Sequence, residues 1–178
     1  MEAPEVPLEQ TQEDLHHKAH SSGNRWMMMV AMSSAILATI AAVGSLMAGH
    51  YSNEAMIEQL KASDQWNYYQ AKGVKANVLA SKMDIMVALG KPADPKDKEK
   101  LGEYKKEQEE IKKEAEVLEH EAQHHLHKHV ILARSVTMEQ VAISISAIAV
   151  LTSRRRFWFL AMGFGAAGIL FLAQGLWG

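Results

Sequence analysis

The chain has 178 residues, and its 19 Lys and Arg against 21 Asp and Glu give a formal charge of −2, which argues against nucleic acid as a partner. Cysteine is absent, which excludes disulfides, thiol chemistry and cysteine-ligated metals. Of the 40 charged residues, 28 lie within residues 51–128, whereas residues 26–49 and 157–178 contain none. This segregation of polarity argues against a soluble enzyme.

The first predicted elements are a polar N-terminal arm, residues 1–25, and an apolar helix, residues 26–49. The apolar run has 24 residues, whereas a helix needs roughly 20 to cross a hydrocarbon layer. It is also longer than the apolar core of a secretory signal, which has about 7–15 residues. We therefore predict an uncleaved first transmembrane helix.

Residues 50–129 are predicted to form a helical hairpin with its turn at residues 90–94. Apolar and small residues recur with spacing four then three on both sides of that turn, which is the spacing of a coiled-coil seam. Gly90, with a proline shortly after it, predicts the end of the first helix. Asp94 and Pro95 then supply an N-cap and a first-turn proline for the second helix.

Pairing the two seams about this turn places large residues against small ones, which lets two helices approach closely. At 1.5 Å per residue, arms of about 35 to 39 residues extend roughly 50 to 60 Å, so a projecting stalk is expected. The predicted partners are Trp66 with Leu118, Tyr69 with Ala115, Gly73 with Ile111, Ala76 with Gln108, Gln59 with His125 and Ala55 with His129.

Two further apolar runs follow, residues 130–153 and 157–177. The last run has aromatic residues at both ends, as in the interfacial belts of membrane proteins. The middle run is interrupted by Arg134 and Glu139. It is still predicted to span, because the last run follows it after a short link and can cross the membrane only if the middle run has crossed in the opposite direction. The predicted fold is an all-α membrane protein with three transmembrane helices and a long antiparallel coiled-coil hairpin between the first and the second.

The link between the last two spans predicts the orientation. It carries Arg154, Arg155 and Arg156, and short basic loops stay in the cytoplasm. The N-terminus is then expected in the cytoplasm, with the hairpin and the C-terminus in the periplasm of a bacterial inner membrane.

Eight of the nine histidines form two clusters, one before the first span and one before the second. In the second cluster Glu121, His125 and His129 share one helical face, and His50 leaves the first span at about the same height. Imidazoles one turn apart can share Zn or Cu, so these four residues are candidate metal ligands. The alternative is a polar ring that hydrogen-bonds water and headgroups and holds no cofactor.

Polar and small residues inside the spans suggest helix contacts. Arg134 and Glu139 are costly in a bilayer, so each is expected either in a structural contact between helices or on an ion pathway. In the last span Gly163, Gly165 and Ala167 predict close helix packing.

A resemblance to a known family covers nearly the full length of the chain, and two segments are its most specific parts. The arm MEAPEVPLEQTQEDLHHKAH and the segment ASDQWNYYQAK resemble the bacterial family called domain of unknown function 4337. The resemblance implies a small bacterial membrane protein, and it carries over no catalytic or binding residue.

These features favour a non-enzymatic membrane scaffold or assembly protein that is homo-oligomeric through its spans and stalk, alone or docked to a larger membrane complex. A second apolar stripe outside the intramolecular seam motivates this reading, since it needs another chain to cover it. Alternatives are an oligomeric ion channel with Glu139 facing the lumen and a histidine-based metal-binding protein. The expected partners are membrane lipids and further copies of the chain. The stripe consists of Ile57, Leu60, Val74, Val78 and Ile85.

Overall fold

The computed structural model describes residues 25–177, which form three α-helices and, within that range, no strand. The helices are α1, Arg25–Ala88, α2, Pro95–Thr152, and α3, Arg155–Trp177. Each contains a stretch long and apolar enough to cross a membrane. The all-α architecture with three candidate spans is confirmed, while the arm predicted before Arg25 lies outside the described residues.

The three helices contribute to two compact units. The three-helix unit contains residues 25–52 and 126–177 and thus all three predicted spans. The hairpin unit is Asn53–His125 and contains the charged parts of α1 and α2. Both helices continue without a break where the predicted spans meet the predicted hairpin.

The interior of the three-helix unit contains two apolar clusters. One contains the buried Trp26, Val30 and Val150, with Trp158 of α3 packed against it. The other contains Leu37, Ala142 and Ile143, against which Ala38 and Phe164 pack. All three helices therefore contribute side chains to one interior.

The end of α1 is a Schellman motif. Gly90 has φ of +72°, its N–H donates to the Val87 carbonyl over 2.9 Å, and the Lys91 N–H donates to the Met86 carbonyl over 3.0 Å. Asp94 then caps α2, because its Oδ1 accepts from the Lys96 N–H over 2.9 Å. Glycine at the left-handed position and aspartate at the N-cap are the residues whose chemistry suits these two places.

The end of α2 uses the same motif without glycine. Ser153 has φ of 52°, its N–H donates to the Val150 carbonyl over 3.3 Å, and the Arg154 N–H donates to the Ala149 carbonyl over 3.2 Å. Because α3 begins at Arg155, only two residues separate the two helices.

The seam of the hairpin unit is narrow and built from alanine. Most of the other predicted seam positions, such as Trp66, Tyr69 and Leu118, are only half-buried. Alanine seams let helix backbones approach closely but remove little apolar area from water, so this unit depends on contacts at the edges of the seam. The buried seam residues are Ala55, Ala62, Ala76, Ile111, Ala115 and Ala122.

The predicted contact of Gly73 differs from the structure. Gly73 was expected to face Ile111, but the side chain that lies against it is Gln108, whose Nε2 is 2.7 Å from the position that a Cβ of residue 73 would occupy. The Gln108 amide also donates to the Tyr69 carbonyl over 3.2 Å. The absence of a side chain at Gly73 leaves the space that this amide fills.

Candidate functional site

A polar cluster is buried inside the three-helix unit. Glu139 of α2 is fully buried, and Ser135 Oγ lies 3.4 Å from its Oε1. The Ser135 hydroxyl donates to the Gly168 carbonyl of α3 over 2.7 Å. A Cβ at Gly168 would lie 2.7 Å from Glu139 Cγ, so the absence of a side chain there makes room for the carboxyl group. The cluster is a contact between α2 and α3.

The other carboxyl oxygen, Glu139 Oε2, is buried and has no hydrogen-bond partner in residues 25–177. The side chain packs against α3 of its own chain, so the prediction that Glu139 faces a lumen between subunits differs from the geometry. Glycine on α3 gives the carboxyl group an interior position, which is why it does not point outward. Arg134, the second polar residue of this span, is exposed.

Of the three α3 residues predicted to pack closely, Gly165 is buried in a helix contact, whereas Gly163 and Ala167 are not buried. Gly165 packs on Leu37, and Gly175 packs on Leu132. Gly163 is exposed and a Cβ there would meet nothing within 4 Å, while Ala167 is half-buried. The buried positions follow the spacing of a single helix face, four and three residues apart, and this spacing is the signal that identifies Gly168 and Gly175. The buried residues of α3 are Ala161, Gly165, Gly168 and Gly175.

Polar contacts join the two arms of the hairpin unit along the edges of its seam. The Trp66 indole N–H donates to Glu119 Oε1 over 2.9 Å. Near the turn, Lys82 Nζ is 2.7 Å from Asp97 Oδ2, and the hydrogen bond to Asp97 raises the pKa of Lys82 above its ordinary value. These contacts link residues that are distant in sequence and therefore fix the pairing of the arms.

Lys72 makes the most extensive of these contacts. Its ammonium group forms an ion pair with Glu107 and lies 5.3 Å from the ring centroids of both Tyr68 and Tyr104. The hydrogen bond to Glu107, followed by that to Tyr68, raises the pKa of Lys72 above its ordinary value.

The four predicted metal ligands are not brought together. His125 Nδ1 lies 3.0 Å from Glu58 Oε2. His129 Nδ1 lies 2.8 Å from the Ala48 carbonyl oxygen, and since a carbonyl can only accept, this nitrogen carries the proton. His50 and Glu121 are exposed, and in the part of the chain that the structure describes no three His, Asp or Glu side chains converge as a metal site.

Glu58 was not predicted to contact His125. The predicted register placed Gln59 opposite His125, but the partner of His125 is the preceding residue. A carboxylate attracts an imidazole more strongly than an amide does, and that chemistry, one position away from the seam, was the available signal. His129 likewise bonds to Ala48 and not to the expected Ala55.

The largest unexplained feature of the hairpin unit is its exposed apolar stripe. Ile57, Leu60, Val74, Val78 and Ile85 are between 45% and 64% exposed. An open groove of about 660 Å³ lies along the part of this stripe nearest the turn. The residues that line the groove are Val74, Asn77, Val78, Ser81, Lys82, Ile85 and Met86.

The fold and these surfaces define an all-α chain with three helices able to cross a membrane. Residues 26–178 match the family described as Domain of unknown function (DUF4337), and the chain belongs to that family. The match confirms the resemblance seen in the ASDQWNYYQAK segment, whereas the N-terminal arm precedes the matched range. Comparison with curated proteins and with solved structures gives no match.

Proposed function

We propose that the protein is a non-enzymatic membrane scaffold, anchored by three spans, that self-associates through the exposed stripe of its hairpin unit. The observation that carries this proposal is the exposure of five large apolar side chains on one face of a charged, extramembrane helix pair. Exposed apolar residues of this size in water mark an interaction surface.

Exposed apolar side chains have a different meaning in the three-helix unit. Leu46 is 76% exposed and Leu170 is 72% exposed, but the hydrocarbon of a membrane would cover both. In the hairpin unit Lys61, Asp64 and Lys75 are exposed on the same helix, and burying these charges in lipid would be costly. Protein, and not lipid, is therefore the occupant that fits the stripe.

The stripe has the pattern of a coiled coil between copies of α1. Ile57, Val78 and Ile85 occupy one heptad position, called a, and Leu60 and Val74 occupy the position called d. β-branched residues at a, combined with leucine at d as at Leu60, favour parallel two-stranded pairing. Copies anchored in one membrane would run parallel, so identical stripes would meet in register.

Polar residues interrupt the stripe and argue for one particular register. Of the three a and d positions between Leu60 and Val74, two hold the exposed polar residues Asp64 and Asn67, and the third holds Ala71. A polar residue at such a position lowers stability but specifies register and the number of strands. Polar residues at these positions would bring no advantage to a contact that has no fixed register.

Cysteine cross-linking tests the proposal directly, because the chain has no cysteine of its own. A Val78→Cys variant is expected to form a disulfide between two copies in membranes under mild oxidation. Val117→Cys is the matched control, since Val117 is 56% exposed on α2 of the same unit but lies outside the stripe.

The expected result is a disulfide-linked dimer of Val78→Cys on a non-reducing gel and monomer for the control. A monomeric mass of the detergent-extracted protein together with no cross-link at residue 78 would refute self-association. A cross-link to a different protein at residue 78 would show that the stripe docks to a larger complex.

A further inference from the structure

Four arginines gather at one end of the three-helix unit. Arg25 is the first residue of α1, and Arg155 is the first residue of α3. The guanidinium carbon of Arg155 lies 6.0 Å from the centroid of the Trp26 ring, so the beginnings of α1 and α3 are adjacent. Arg154 and Arg156 flank Arg155, and all four arginines are exposed.

These positive charges have no carboxylate partner in residues 25–177. The only acidic residue of the described three-helix unit is Glu139, which is buried and lies roughly 20 Å along α2 from its end at Thr152, by helical rise. No ion pair in the described chain involves any of the four arginines. Within residues 25–177, this end of the unit therefore carries a positive patch with no ion-pair partner, which is complementary to an anion.

The surroundings of the patch are those of an amphiphile. Trp26 is buried beside it, and the Trp158 indole N–H donates to Ser33 Oγ over 3.2 Å, as tryptophans do at the boundary between hydrocarbon and headgroups. Immediately beyond the arginines, Met28, Met29 and Phe159 are exposed. Acyl chains would fit these apolar side chains, and a phosphate would fit the guanidinium groups, which bind it with two parallel hydrogen bonds.

We propose that Arg25, Arg154, Arg155 and Arg156 bind the phosphate headgroup of an anionic phospholipid whose acyl chains lie along the adjacent apolar surface. This inference rests on the membrane location in the proposed function but not on self-association. A basic surface between helices at the edge of the hydrocarbon layer is where anionic headgroups are recognised.

The test uses the full-length protein reconstituted in phosphatidylcholine vesicles with and without phosphatidylglycerol. The number of phosphatidylglycerol molecules retained after detergent extraction is counted by native mass spectrometry. The test variant combines Arg154→Gln, Arg155→Gln and Arg156→Gln. The matched control combines Lys91→Gln, Lys105→Gln and Lys113→Gln, which removes the same charge from exposed positions of the polar segment.

The expected result is a preference for phosphatidylglycerol that falls about fivefold per removed arginine and is unchanged in the lysine control. An equal loss in both variants, or full preference in the arginine variant, would overturn the proposal. Displacement of phosphatidylglycerol by inorganic phosphate alone would overturn the role of the acyl chains. Residues 1–24 contain five Asp and Glu residues. A preference that appears only after deletion of residues 1–24 would make this N-terminal arm the occupant and would also overturn the proposal.

Flotation separates this inference from the function on which it rests. Protein that fails to float with pure phosphatidylcholine vesicles is not membrane-embedded, and both proposals then fail. Protein that floats but shows no preference for phosphatidylglycerol refutes only the lipid site. The cross-link at residue 78 is scored in the same preparation, so loss of self-association is recognised independently.

Discussion

The two units of this chain solve the problem of helix packing in different ways. In the three-helix unit, glycines of α3 accept large side chains directly, as Gly165 accepts Leu37 and Gly175 accepts Leu132. In the hairpin unit, alanines such as Ala62 and Ala115 form the buried seam, and polar bonds such as that of Trp66 to Glu119 lie along its edges.

The difference follows from the medium that each outer surface suits. A helix in hydrocarbon gains nothing by burying apolar groups, so its association depends on close packing and on internal hydrogen bonds such as that of Ser135 to Gly168. A helix pair in water can satisfy its polar groups outside and gains from burial, so charged contacts remain at the edge. Substitutions that remove the close packing of one unit or the edge contacts of the other therefore test this difference.

The substitution with the largest expected effect on the free energy of unfolding is at Gly168. A Cβ there would lie 2.7 Å from Glu139 Cγ and 3.2 Å from the Ser135 carbonyl oxygen, which is backbone and cannot easily move. Gly168→Val should therefore lower the free energy of unfolding by about 3 kcal/mol. Gly163→Val is the control, because nothing lies within 4 Å of that position. Thermal unfolding in detergent micelles measures both, and equal melting temperatures would contradict the glycine contact.

A smaller loss in the free energy of unfolding is expected when the buried hydroxyl of Ser135 is removed. Ser135→Ala removes the hydrogen bond to Gly168 and the nearest donor to Glu139, and should cost about 1–2 kcal/mol. Ser144→Ala is the matched control, because its exposed hydroxyl bonds only to the Gln140 carbonyl of its own helix. If both variants lose the same free energy of unfolding, the hydrogen bond between α2 and α3 does not stabilise the protein more than a hydrogen bond within one helix.

Substitutions at the ends of α1 and α2 should change the free energy of unfolding in opposite directions, each by about 1–2 kcal/mol. Gly90→Ser places a side chain at φ of +72°, and Ser153→Gly removes one from φ of 52°. A non-glycine residue in the left-handed region costs about 1–2 kcal/mol, so the first change should destabilise and the second should stabilise. Chemical denaturation of both variants measures the signs, and a destabilised Ser153→Gly protein would mean that the serine side chain makes a necessary contact.

The smallest expected effect is a pH dependence of the hairpin unit. The pKa of Lys72 is raised above its ordinary value of 10.5, chiefly by the hydrogen bond to Glu107. A group with a higher pKa in the folded state adds stability that is fully present below pH 10.5 and is lost as the pH rises through the folded-state pKa.

We expect the wild type to lose helix above about pH 10.5, as measured by circular dichroism, and Lys72→Met to lose less of its helix over the same range. Lys75→Met is the control, because Lys75 is exposed on the same helix. An unchanged alkaline profile in Lys72→Met would assign that loss to other groups.

The sequence predicted the elements of this fold better than their contacts. Gly90 and Asp94 identify the ends of two helices because a left-handed residue and an N-cap each require particular chemistry. The alanine seam follows from spacing alone. The partners of long side chains do not, since Gln108 and Glu58 can each reach several positions on the opposite helix, and the structure places them on Tyr69 and His125.

The packing face of α3 was ambiguous for a different reason. Small residues occupy most of residues 161–168, so more than one helix face looks suitable for a close contact. The side chains on the other helices decide which face is used, and here Leu37 and Glu139 select Gly165 and Gly168. A single sequence contains no direct record of that choice.

The two apolar faces of α1 in the hairpin unit have a consequence for the order of folding. Ala76 belongs to the buried seam and Val74 to the exposed stripe, and two positions along a helix are about 160° apart around its axis. Residues 53–88 therefore leave the ribosome with bare apolar surfaces on opposite sides, before residues 95–125 exist to cover the first of them. Synthesis of the second helix of the hairpin unit covers one of these faces, and the other stays exposed in the folded chain.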